Sequence, residues 1–461
     1  MQIVNNILKF ISRSFSRYFI TTFVAILVIV PLIATSGSFA VSQPVFSAPV
    51  NVSNDAGVAR LPNVFNVGSH VYIAWTESSR GIIFRSSPDG GVTWSPPLNS
   101  PGLRISPKGG VAGPPLISAN GTNVYVVWSQ TIGNTGYQVM EASSLNSGAS
   151  FNPAVQITSG SPTGGWVTPV IASWGKNVYL AFVDSETTQS YVVVSTNAGQ
   201  SWGKLHEYST FHEPQLAAWG GKYVYAVAGQ GLSVSSNNGL TWVNESITNC
   251  CPSEPWIAAY GANVYEVYET KGPCNQPSGG CVVGYAYSNN HGKTWSPQVN
   301  ISATVSPKLP NSWAPMVNAF GNSSWIADHT FPNGSKSQVY VYTTTNAGKS
   351  WNSPVDLSGL SGRTSFPFNV ATSDGKNVFV GWSQESSTKP VTWVLRVSYS
   401  ADGGLTWSPA PGINASSNPL GTQAGNNQDL ATGEISSFGT HCYVVYQLIN
   451  GTSNQVYFTS S

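Results

Sequence analysis

Ser87-Pro88-Asp89-Gly90-Gly91-Val92-Thr93-Trp94 is the first of seven copies of one phrase, roughly Ser/Thr-x-Asp/Asn-x-Gly-x-Ser/Thr-Trp. The last reads Ser400-Ala401-Asp402-Gly403-Gly404-Leu405-Thr406-Trp407, and the others are centred on Asn146, Asn197, Asn237, Asn290 and Asn346. Their glycines fall at 91, 148, 199, 239, 292, 348 and 404, about 40 to 57 residues apart, and that period marks propellers and other repeat folds. Asp or Asn folds back onto nearby backbone N–H groups, and the glycine accepts positive φ. The phrase therefore reads as a self-capped turn between two strands. Asp89, Asn146, Asn197, Asn237, Asn290, Asn346 and Asp402 are structural residues on this reading.

The rest of a four-stranded unit surrounds each phrase. Upstream run strands such as Val71-Tyr72-Ile73-Ala74-Trp75, Val124-Tyr125-Val126-Val127-Trp128 and Val378-Phe379-Val380-Gly381-Trp382. About ten residues earlier stands an x-Pro start, at Leu61-Pro62, Gly113-Pro114, Thr168-Pro169, Glu213-Pro214, Glu254-Pro255, Ala314-Pro315 and Phe366-Pro367. Proline lacks a ladder donor and belongs on an edge strand, here the innermost one. Counting the first two strands of each unit gives eight, the last from 430 to 461 lacking its own outer strand. The segment 46–53 resembles the other outer strands, so the two chain ends are expected to share a blade and close the ring. The expected fold is all-β: a single propeller over 45–461 of four-stranded antiparallel blades, eight in number, or seven if the irregular fourth repeat is no blade.

Composition fits this. Charged residues make up 8% of the 461, and helix formers are scarce outside the N-terminus. A formal net charge of +1 without a basic run excludes a nucleic-acid partner. Residues 1–40 stand apart: Lys9, Arg13 and Arg17 precede the apolar run 18–34, and Ser38-Phe39-Ala40 offers a cleavage site. They read as a signal peptide or a retained anchor, with the propeller outside the membrane and no other membrane contact. In that oxidising setting Cys250, Cys251, Cys274 and Cys281 are expected to form one or two disulfides, while Cys442 is a buried thiol.

Turn phrase and x-Pro starts together resemble the Asp-box (bacterial neuraminidase repeat) propellers of the sialidase superfamily, over nearly all of the mature chain. The resemblance implies a carbohydrate-active or binding propeller. Sialidases of that family carry three arginines, an Asp acid/base and a Tyr–Glu pair. Arg60-Leu61-Pro62 matches the first arginine motif; the other two arginines have no counterpart before a proline. The remaining candidates follow from position. Residues before the x-Pro starts share the face opposite the repeated turns: Arg60, His212, Glu213, Glu254 and Asp429. Glu213, Glu254 and Asp429 are the candidate catalytic carboxylates, and Arg60, His212, Trp166, Trp313 and Asp328 the candidate substrate-binding groups. No cofactor or metal motif appears, although a structural cation near the axis fits the paired carboxylates. Two functions remain open: an exported binding module for a glycan or surface protein, or a sialidase-like glycoside hydrolase.

Overall fold

The computed structural model describes residues 43–54, 57–133, 136–158, 169–184, 187–210, 214–229, 231–245, 253–271, 281–309, 311–331, 337–359, 364–385, 392–416, 433–450 and 453–461. Glu213, His212, Trp166, Asp429, Cys250, Cys251 and Cys274 lie outside them, as does the expected leader. Among the described residues no helix is long and apolar enough to cross a membrane.

Eight four-stranded antiparallel sheets make up the fold. The first blade is Ala59–Val67, His70–Glu77, Gly81–Ser87 and Leu103–Arg104, running from inner to outer strand. The third is Val170–Trp174, Asn177–Asp184, Gln189–Ser195 and His206–Thr210, and the fourth is Gln215–Trp219, Tyr223–Ala228, Gly231–Ser235 and Val243–Glu245. The fourth repeat is thus a full blade, though a short one. In the fifth, Ser253–Tyr260, Asn263–Lys271 and Cys281–Ser288 precede a two-residue outer strand; the sixth opens with Ser312–Phe320, Ser323–Thr330 and Gln338–Thr344. Each inner strand packs against the inner strand of the next blade, and the eighth, Gly433–Phe438, returns to the first. The eighth blade takes its outer strand from the other end of the chain, Val50 pairing with Phe458 and Asn51 with Tyr457.

The core lies in layers between blades. Alternation along each strand sends one set of side chains toward the preceding blade and the other toward the next. Tyr72 and Phe84 of the first blade thus meet Val126 and Trp128 of the second. Trp75, Trp128, Trp325 and Trp382 are fully buried, each contributing roughly 2–3 kcal/mol through burial.

The repeated phrase forms the turn expected of it. Ser87 Oγ accepts from Gly91 N at 2.7 Å, and Asp89 Oδ1 accepts from Thr93 N at 2.8 Å. Asp89 Oδ2 also accepts from the Thr93 hydroxyl. In the Asn copies the side-chain amide donates to that hydroxyl instead, as Asn197 does to Ser201 at 2.8 Å. Either residue therefore closes the turn, and the amide does so without a charge. Every phrase glycine has φ between +77° and +99° and abuts the preceding blade.

Candidate functional site

The end of the channel opposite the repeated turns is shaped by irregularities of the inner strands. In the first, fifth and sixth blades two residues of the inner strand, x and Pro, stand opposite one residue of the second strand. The register shifts between Arg60 and Asn63, between Ser253 and Trp256, and between Trp313 and Met316. The residue before proline is left-handed each time: Leu61 at φ +51°, Glu254 at +48° and Ala314 at +47°. A side chain in that region costs about 1–2 kcal/mol. Bulges of this kind re-aim side chains and occur beside binding sites. The x-Pro motif therefore breaks the strand near its start as well as marking an edge.

Two adjacent bulges wall a small cavity of about 110 Å³. Glu254, Pro255 and Trp256 line it from the fifth blade, Ala314, Pro315 and Met316 from the sixth, and Gln215 from the fourth. Glu254 is exposed, and Trp313, next to Ala314, is 40% exposed. Arg60 is exposed as well, on the first blade, which lies across the ring from the fifth. The cavity thus offers one carboxylate, one amide and an aromatic and thioether lining, with a solvent-facing indole beside it.

Asp328 departs from its expected place. It lies inside the strand Ser323–Thr330 rather than in the connection that follows, and is 0% exposed. It stands opposite the Ala314-Pro315 bulge, behind the cavity wall. Tyr342 donates to its Oδ2 at 3.4 Å, and Oδ1 has no partner. Burial pushes its carboxyl up to about 7, against hydrogen bonds from Ser312 and Tyr342. Contact with a bound ligand is closed to it. The adjoining His329 is buried too, its Nε2 3.0 Å from the Thr364 carbonyl, and burial lowers it to about 4.

Three other arginines are committed elsewhere. Arg85 is fully buried, donating to the carbonyls of Pro96, Pro97 and Ser100. Arg104 donates to the carbonyls of Ser106 and Pro107, and Arg80 pairs with Glu77 at 3.4 Å. Arg396 is half-buried in the strand Trp393–Ser400, opposite Trp382, and Arg363 lies outside the described residues. Arg60 stands exposed at the start of the first blade's inner strand.

Cys281 and Cys442 are both buried, and burial raises the Cys442 thiol. The partners expected for Cys281 are outside the described residues. Among the described residues no cluster of three or more His, Cys, Asp or Glu lies within reach of one metal ion. Sequence reasoning missed Trp256, Met316 and Gln215. The usable signal was the residue following the x-Pro pairs of the fourth, fifth and sixth blades, each of which lines the cavity.

No family model and no curated protein matches the chain. Solved structures resemble it only weakly. An ulvan lyase of polysaccharide lyase family PL25 superposes with a TM-score of 0.48 at 11% identity, covering 89% of this chain and 95% of its own. The α-L-arabinanase of Penicillium chrysogenum gives 0.42 at 12%, over 77% and 98%. The sialidase of Trypanosoma rangeli gives 0.39 at 13%, over 90% and 59%. Resemblance at this level is silent on chemistry, which rests on the residues themselves.

Proposed function

We propose that the chain is an exported carbohydrate-binding propeller that takes a sugar at the channel end walled by the two x-Pro bulges. The observation that carries this reading is the cavity of about 110 Å³ between the fifth and sixth blades. Its apolar lining suits the C–H face of a pyranose, and Glu254 and Gln215 suit its hydroxyls. Trp313 extends the stacking surface outward. Two strained prolyl bulges side by side give these groups fixed positions.

The sequence resemblance to Asp-box propellers agrees with a glycan ligand. A sialidase-type three-arginine clamp finds little support: Arg85 and Arg104 hold their own loops, Arg80 pairs with Glu77, and Arg396 is half-buried in a third strand. Glycoside hydrolysis further requires a second carboxylate within about 5–9.5 Å of the first. Glu213 and Asp429 were the candidates for it, and both lie outside the described residues.

The test is a glycan array followed by calorimetry, together with a panel of chromogenic glycosides. Wild type is expected to retain particular glycans, with Glu254→Gln and Trp313→Ala each weakening them about tenfold, roughly 1.4 kcal/mol. Turnover of any glycoside that disappears in Glu254→Gln would replace binding by hydrolysis. Retention of no glycan, or retention indifferent to both substitutions, would overturn the reading.

A further inference from the structure

A second concavity lies far from the channel end, on the outer rim between the third and fourth blades. Its volume is about 550 Å³, several times that of the cavity above. It has a cause in sequence. At three other blade boundaries the gap is filled by a ring on the preceding blade's third strand: Phe458 meets Gly91, Phe84 meets Gly148, and Tyr285 meets Gly348. Here the residues at that place are Val192 and Val194, and only Val194 reaches the turn glycine, Gly239. Two valines leave a trough where those three boundaries carry an aromatic side chain; at the next boundary, where Val234 faces Gly292, Tyr225 of the second strand fills the gap.

The tryptophans of the adjoining turns also behave differently. Trp94, Trp295 and Trp407 each donate the indole N–H to the glycine carbonyl of their own turn, at 3.0–3.1 Å. Trp202 has no partner for its Nε1 although that atom is buried. Trp242 lies face to face with His206 at 5.3 Å and 9°. His206 reaches from the third blade to the fourth, its Nε2 3.1 Å from Ser233 Oγ and 3.0 Å from Asn244 Oδ1. The amide oxygen requires Nε2 to carry the proton, which leaves Nδ1 for a further bond.

Charge completes the picture. Lys204 is exposed on the trough wall, and among the described residues it forms no ion pair and no carboxylate lines the trough. Leu240, 76% exposed, stands at its lip.

We propose that this trough is a separate binding site for an acidic sugar, a uronate or sulfated pyranose, stacked on the indoles with its anionic group toward Lys204. An aromatic wall suits any sugar ring; the lysine and the absence of carboxylates select the anionic one. The inference does not depend on the channel-end reading.

Calorimetry with a glucuronate-containing oligosaccharide and its neutral glucose counterpart tests it, on the whole propeller. Wild type is expected to bind the acidic ligand at least tenfold more tightly than the neutral one. Lys204→Gln should remove most of that difference. Leu240→Glu, which sets a carboxylate at the lip of the trough, should abolish acidic binding without lowering Tm. Trp242→Ala should weaken both ligands. Equal affinity for the two ligands would overturn the proposal. So would acidic binding that survives both Leu240→Glu and Lys204→Gln, which would assign it to another part of the propeller.

Discussion

Glu266 is a carboxyl group placed where a fold has little means of keeping it charged. It sits in the second strand of the fifth blade, 2% exposed, with Oε2 unpartnered, and burial pushes it up to about 8. Glu141, in the third strand of the second blade, has neither oxygen partnered and is likewise raised by burial. With the folded value above the unfolded one, the folded state holds the proton more tightly. The associated stability is complete below about pH 4.5, declines as pH rises, and is lost once pH passes the folded value near 8. A tenfold difference in proton affinity between the two states corresponds to about 1.4 kcal/mol, so one such group weighs on stability by a few kcal/mol at pH 8. Glu266→Gln is expected to raise Tm at pH 8, to leave it unchanged near pH 4, and to flatten the Tm–pH slope between them. Calorimetric scans across that range check it; an unchanged slope would show that Glu266 titrates normally. None of this was legible in the sequence. A glutamate in Val264-Tyr265-Glu266-Val267-Tyr268 marks a strand, but which face meets the neighbouring blade depends on tertiary register. Asp328 was misplaced for a related reason: the strand runs two residues past the point where hydropathy falls.

Among the elements, the repeated turn was the most legible, because all its chemistry is local. Ser288 Oγ donates to Asn290 Oδ1 at 2.9 Å and accepts from Gly292 N at 2.9 Å, and Thr294 N donates to Asn290 Oδ1. Ser288→Ala should therefore cost about 1–2 kcal/mol, the loss of a satisfied backbone donor plus one side-chain bond. Gly348→Ala should cost more. Gly348 has φ +82°, and an added Cβ would collide with the Tyr285 hydroxyl, so strain and overpacking add to about 3 kcal/mol or more. Urea unfolding of the two variants checks both the magnitudes and their order. The x-Pro starts were legible as edges but not as bulges. Proline's missing donor can be read from one residue, whereas a left-handed Glu254 or Ala314 requires the opposing strand in view. The trough between the third and fourth blades was illegible for the same reason, since Val192 and Val194 read as ordinary strand residues until set beside Phe84 and Tyr285.

For the whole molecule, the ring rests on a joint between distant parts of the chain. Counting repeats gave eight blades, and the resemblance of 46–53 to an outer strand gave the closure, both as found. That was legible because the missing strand of the last repeat has only one spare candidate. The joint is short in backbone pairing but well packed. Val52 is fully buried with Val456 and Phe458, its N–H donates to the Val456 carbonyl at 2.9 Å, and Ser53 Oγ accepts from Val456 N at 3.0 Å. Asn51 and Ser53 both hydrogen-bond to Gln455. Removing residues 43–56 would expose the edge of the strand Ser453–Ser460, an open template for pairing with another chain. It would also withdraw Val52, about 1.5–3 kcal/mol by burial alone, and several hydrogen bonds. A chain beginning at residue 57 is therefore expected to melt about 5 °C or more below one beginning at residue 43 and to self-associate on warming. Paired calorimetry and light scattering decide the matter. Equal melting temperatures would mean that the ring is held by its inner strands and inter-blade layers alone, with the terminal strand a passive cover.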